Sequence, residues 1–164
     1  MRRVLNLLDK ALIAVAGTLL AAVTFTVLFQ VTMRYVFNAP TSWSEELATL
    51  LFVWLVMIGI PPVLRHGQHI KVDVLAELPI KGIERTLNVL GNIVFAVVFA
   101  VLGFYAIQLM PSANRQLLTG ISRALGMNIP MSAINWAVPI GSVFTVVYAI
   151  EQIIAPLPSS VTEG

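Results

Sequence analysis

Cysteine is absent from the chain, which excludes disulfides, thiolate metal sites and a cysteine nucleophile. Charge is scarce: Asp, Glu, Lys and Arg make up 11% of the residues, against roughly 25% in an ordinary soluble domain, so a water-soluble fold is excluded. No glycine-rich phosphate loop, no G-x-S-x-G elbow and no Ser, His and Asp set on a common scaffold occurs, which argues against an enzyme. Histidine is limited to His66 and His69. Two imidazoles in one loop with no third strong ligand fixed nearby do not define a metal site, and no histidine lies inside a span to hold haem, so neither metal nor cofactor is expected.

What the chain has in abundance is hydrophobic sequence, 58% of its residues. Four uncharged runs stand out: Ala11 to Met33, Leu47 to Leu64, Thr86 to Asn114 and Ala124 to Ile150. Each is long enough to cross a hydrocarbon layer, which takes about 20 mainly apolar residues. The first run, 23 residues, exceeds the roughly 7 to 15 of a cleavable signal core and reads as a retained span.

The net charge of +2 marks topology and not a nucleic-acid partner, because the basic residues are scattered between the runs. Arg2, Arg3, Lys10, Arg65, Lys71, Lys81 and Arg85 fall on one side of the membrane, and Arg34, Arg115 and Arg123 on the other. Seven against three places both termini and the middle loop in the cytoplasm. The predicted fold is an all-α integral membrane protein with four transmembrane helices, at about 11–33, 44–64, 86–110 and 131–152. They form a single domain over 1–155, followed by a polar tail, 156–164.

Local signals refine this outline. Asn38, Ala39 and Pro40 mark the first turn, since proline cannot continue an incoming helix. Ser42 and Glu45 have the spacing of a capping box at the start of the second helix. From Pro79, Ile80, Ile83, Leu87 and Leu90 share one helical face and Lys81, Glu84, Arg85 and Asn88 the other. That pattern predicts a short interfacial amphipathic helix running into the third span. Pro139 predicts a kink in the fourth. Gly17 with Ala21, Ala96 with Ala100 and Ala137 with Gly141 are small-residue pairs that let helices approach closely in lipid.

The candidate site residues cluster at the two ends of the second span. Trp43, Glu45 and Glu46 open it, and Arg65, His66, His69 and Asp73 follow its close. Glu45 and Glu46 precede the apolar run, at interface depth, where capping or pairing with Arg34 accounts for them better than ion passage. No charge at membrane centre and no inverted repeat with broken helices equips the chain to move a solute alone.

The joined stretch "RYVFNAPTSWSEELATLLFVWLVMIG" and "RHGQHIKVD" resembles the small membrane subunit, DctQ-like, of tripartite ATP-independent periplasmic (TRAP) transporters. Carrying the resemblance are Arg34, Tyr35, Phe37, Asn38 and Pro40, then Trp43, Glu45 and Glu46, then Arg65, Gly67, His69, Ile70, Val72 and Asp73. The resemblance implies a bacterial inner-membrane protein that pairs with a large polytopic subunit and cooperates with a periplasmic substrate-binding protein. It further implies organic acid uptake driven by a sodium gradient, with the solute and sodium sites in the large, elevator-type subunit. Arg34, Trp43, Glu45, Glu46, Arg65, His69 and Asp73 are then structural or interface residues. Two alternatives stand beside it: a self-contained four-helix ion-coupled transporter, and the membrane anchor of a redox enzyme.

Overall fold

The computed structural model describes residues 2–65 and 83–154 of the chain. Among the described residues six helices follow one another: α1 (Arg2–Tyr35), α2 (Ser42–Arg65), α3 (Ile83–Ala113), α4 (Thr119–Leu125), α5 (Ser132–Asn135) and α6 (Ala137–Ile154). Among these residues four stretches are long and apolar enough to span a membrane: Leu5–Tyr35, Ser42–Arg65, Val89–Ala113 and Ser132–Ile154, the last combining α5 and α6. His69, Asp73 and the start of the amphipathic segment from Pro79 lie outside the described residues. From Ile83 the chain is helical without a break into the third span.

The spans stand in a row. α1 packs on α2, α2 on α6 and α6 on α3, and neither edge helix packs against the other. At 1.5 Å per residue, the edge helices α1 and α3 are about 51 and 46 Å long. Both exceed the roughly 30 Å of hydrocarbon. Their outward sides remain open, with Phe25 and Leu28 on α1 and Phe104 and Ile107 on α3 all more than half exposed.

Lipid is as apolar as leucine, so close backbone approach and polar contacts hold such helices together. The tightest approach lies between α2 and α6. Pro61 and Pro62 sit inside α2, and Pro61 has no N–H to give to the Met57 carbonyl one turn back. The Gly141 backbone runs against that carbonyl so closely that a Cβ there would stand 2.5 Å from the Met57 oxygen. Of the three small-residue pairs, Ala137 with Gly141 therefore lies at a helix crossing. Gly17, by contrast, has nothing within 4 Å of where its Cβ would be.

One local expectation is corrected. Ser42 is already helical, and the Thr41 and Ser44 hydroxyls pair at 2.6 Å, while Glu45 turns to α1. No Ser42–Glu45 capping box forms among the described residues, because Glu45 has stronger charged and amide partners. In the fourth span the interruption falls at Trp136, within the turn that Pro139 closes and where the sequence places a kink. Pro139 cannot donate to the Asn135 carbonyl four residues back, and sits in the first turn of α6, where no intrahelical donor is needed.

Candidate functional site

Polar side chains gather at the two ends of α2, about 28 Å apart along its axis between Glu46 and Arg65. At the first end, α1 reverses through Asn38, whose φ of 49° is a left-handed conformation that asparagine tolerates. The Ala39 N–H folds back onto the Met33 carbonyl at 3.0 Å. This short reversal brings Arg34 to Glu45: the guanidinium and carboxylate meet at 3.1 Å, and Gln30 donates to the same oxygen at 3.1 Å. Both charged side chains are about half exposed, at 51% and 54%, so the pair contributes at most about 1 kcal/mol.

Glu46 points elsewhere because successive residues of a helix are rotated by about 100°. Its carboxylate receives the backbone N–H groups of Gly120 and Ile121, each at 2.9 Å, and the Thr119 hydroxyl at 3.4 Å. These are free donors of the first turn of α4, whose own N-cap residue, Leu118, supplies no side-chain bond. Glu46 thus caps α4 from a neighbouring helix. Gly120 permits the approach, since a Cβ there would stand 2.9 Å from the Ser42 carbonyl carbon and the Trp43 nitrogen.

Trp43 completes this end. Its ring lies 5.6 Å from Phe29 of α1, and the side chain also packs on the buried cluster of Leu118, Ile121 and Ile134. Deeper along α2, the Trp54 indole N–H donates to the Ala133 carbonyl of α5 at 3.0 Å.

At the opposite end, one guanidinium joins three helices. Arg65 donates through Nε to Glu151 of α6 at 3.1 Å, and through Nη1 to the Leu5 carbonyl of α1 at 3.0 Å. Its Nη2 donates to Asn6 at 2.6 Å, while Asp9 lies 3.7 Å from Nη1. The flat face of the guanidinium rests on the Tyr148 ring at 5.4 Å, a cation–π contact. Arg65, Asp9 and Glu151 are 14%, 9% and 20% exposed, so this is a largely buried network. Beside it, Asn92 of α3 donates to Gln152 at 3.2 Å, and Gln152 donates to the Leu64 carbonyl.

Of the residues singled out in the sequence, Arg34, Trp43, Glu45 and Glu46 share one end of α2, Arg65 stands at the other, and His69 and Asp73 lie outside the described residues. Sequence reasoning missed Asp9 and Glu151. A signal existed, because both are acids just beyond uncharged runs on the side of the membrane to which Arg65 is assigned. Chemically, the two clusters neutralise charge and satisfy backbone donors at the ends of the spans, which suits holding helices in place.

Comparison with known proteins agrees with this architecture. The family model described as "Tripartite ATP-independent periplasmic transporters, DctQ component" matches residues 23–158. The small permease protein SiaQ of a sialic acid TRAP transporter from Vibrio cholerae is 27% identical over 159 residues, covering 93% of this chain and 83% of SiaQ. The C4-dicarboxylate TRAP transporter small permease protein DctQ from Pseudomonas aeruginosa is 39% identical over 50 residues, 30% of this chain and 24% of DctQ. The sialic acid TRAP transporter permease protein SiaT of Haemophilus influenzae is 37% identical over 89 residues, 54% of this chain, which spans only 14% of SiaT. With the family model matched across the greater part of its length, including both ends of α2, the chain belongs to the DctQ component family of tripartite ATP-independent periplasmic transporters as a small permease subunit.

Proposed function

We propose that this protein is the accessory membrane subunit of a sodium-gradient-driven TRAP transporter for organic acids, of the dicarboxylate, keto acid or sialic acid class. It resides in the bacterial inner membrane with both termini and the middle loop in the cytoplasm. It forms a heterodimer with a large polytopic subunit, which carries the solute and moves as an elevator against this chain. The observation that carries the reading is the family match over residues 23–158, joined to the placement of charge at the ends of the spans. A row of helices clamped at both ends is a brace. Arg34, Trp43, Glu45 and Glu46 order the periplasmic end, and Arg65 with His69 and Asp73 the cytoplasmic end. The loop carrying α4 stands at the periplasmic surface, where it helps dock the substrate-binding protein. Residues 1–155 act as one domain.

Two measurements test this. Gentle purification of the tagged chain from its native membrane, with mass spectrometry of what accompanies it, is expected to recover one large polytopic protein in equal amount. Reconstituted with that partner and the binding protein, the complex is expected to take up a labelled organic acid only under an inward sodium gradient. A chain that remains alone through gentle extraction overturns the accessory role, and uptake indifferent to sodium overturns the coupling.

A further inference from the structure

Helix crossings fix the level at which the segment between the third and fourth spans stands. Gly103 of α3 lies against α6, where a Cβ would stand 3.0 Å from the Ser142 Cβ, and Gly141 of α6 lies against the Met57 carbonyl of α2. Ala113 follows Gly103, and Ser132 precedes Ser142, by the same distance along the chain, so these two span ends share one level about 15 Å from their crossing. Counting back equally from Gly141 and from Met57 sets Ser132 beside Ala48, at the start of the uncharged run that opens with Leu47. α4 packs just outside that level, with Gly120 against Ser42 and Trp43 and its first N–H groups on Glu46. Ser42 to Glu46 covers about 6 Å of helix axis. The headgroup layer on each side of a bilayer is about 5–7 Å deep, so the first turn of α4 lies within it.

The chemistry of the segment suits that layer. Leu125 and Met127, on either side of the left-handed Gly126, are 62% and 64% exposed, and Leu117 is exposed as well. Arg115 and Arg123 are the only charged residues between 114 and 131. Both are exposed, and neither forms an ion pair among the described residues. The backbone folds in on itself: the Leu118 N–H donates to the Ile129 carbonyl at 2.9 Å, the Met131 N–H to the Gln116 carbonyl at 2.8 Å, and the Ile129 N–H to the Ser122 hydroxyl at 3.0 Å. Water would satisfy such groups in an open loop, whereas a partly dehydrated layer requires internal partners. Large apolar side chains together with unpaired guanidinium groups, at the level of the phosphates, match the two halves of a phospholipid. The apolar outward faces of α1 and α3 lack that second half and do not distinguish lipid from a protein helix.

We propose that Leu117, Leu125 and Met127 insert among the phospholipids of the outer leaflet while Arg115 and Arg123 pair with their phosphates, so that α4 is an interfacial anchor holding this segment flush with the membrane. This goes beyond the accessory-subunit reading and takes from it only the choice of leaflet.

Because the chain has no cysteine, a single nitroxide label can be attached through Leu125→Cys or Met127→Cys. The labelled chain, in complex with its large permease, is placed in nanodiscs of phosphatidylethanolamine and phosphatidylglycerol. Collision of the label with oxygen and with a nickel chelate then reads its depth, calibrated by spin-labelled lipids. Both labels are expected about 5–10 Å inside the headgroup surface, reached by oxygen and poorly by nickel. Arg115→Gln combined with Arg123→Gln should shift both outward. Labels freely reached by nickel overturn the anchor and leave this face open to water and to a docking protein. Labels shielded from both reagents overturn it in favour of cover by the large permease. An unchanged depth in the double arginine variant overturns the phosphate pairing. Loss of the permease from the preparation counts against the accessory role alone, since the depth can still be read in the chain by itself.

Discussion

Arg65 and Glu151 meet at 3.1 Å across 86 residues of sequence, joining the last turn of α2 to the last turn of α6. The same guanidinium reaches the Leu5 carbonyl and Asn6 on α1, so one side chain ties three of the four spans. Removing it leaves the Asp9 and Glu151 carboxylates largely buried without their shared cation. Arg65→Ala is therefore expected to cost about 3–5 kcal/mol. Arg65→Lys should recover only part, because an ammonium cannot reproduce the fork or the stacking on Tyr148. A triple replacement of Arg65, Asp9 and Glu151 by leucine or methionine should be less damaging than Arg65→Ala alone. Thermal unfolding in detergent, followed by size-exclusion fluorescence, ranks the three.

Glu45 and Glu46 are neighbours in sequence with different work. Glu46→Ala removes the acceptor for the Gly120 and Ile121 N–H groups and is expected to destabilise α4 by about 1 kcal/mol, the worth of an N-cap. Glu45→Ala loses an exposed pair and should fall between zero and about 1 kcal/mol, fading as salt is raised. Limited proteolysis between residues 114 and 131 separates them: faster cleavage is expected for Glu46→Ala and little change for Glu45→Ala. Equal rates would refute the assignment of the cap.

Glycines in the spans should divide by what faces them. Gly141→Ala drives a methyl group against the Met57 carbonyl and should separate α2 from α6, lowering stability by about 1–3 kcal/mol. Gly17→Ala meets open space in the middle of a helix and should stabilise by about 0.5–1 kcal/mol. Melting temperatures of the two variants, moving in opposite directions, check this.

Trp54→Phe keeps the ring and removes the donor to the Ala133 carbonyl, with an expected loss of about 1 kcal/mol. Trp43→Ala removes a ring packed on both α1 and the Leu118–Ile121–Ile134 cluster and should cost about 3–5 kcal/mol. Chemical denaturation monitored through the remaining tryptophans compares them.

Read without its fold, the sequence determines the four spans, because length and scarcity of charge alone decide whether a segment can cross hydrocarbon. It also determines that Arg34 and Glu45 are neighbours, since a turn at Asn38 to Pro40 leaves the chain little freedom between them. The landmarks from Arg34 to Asp73 carry the family as well. The row α1, α2, α6, α3 was not legible, nor were Glu46 as a cap for α4, Asp9 and Glu151 around Arg65, or Gly141 against the Met57 carbonyl. The physical reason is shared. In a soluble helix, polar residues mark the outside, but in a membrane the lipid-facing and helix-facing sides are equally apolar, so periodicity says nothing about which side meets which neighbour. Only the tertiary structure places helices beside one another, and with that placement it decides the partner of every charge at their ends.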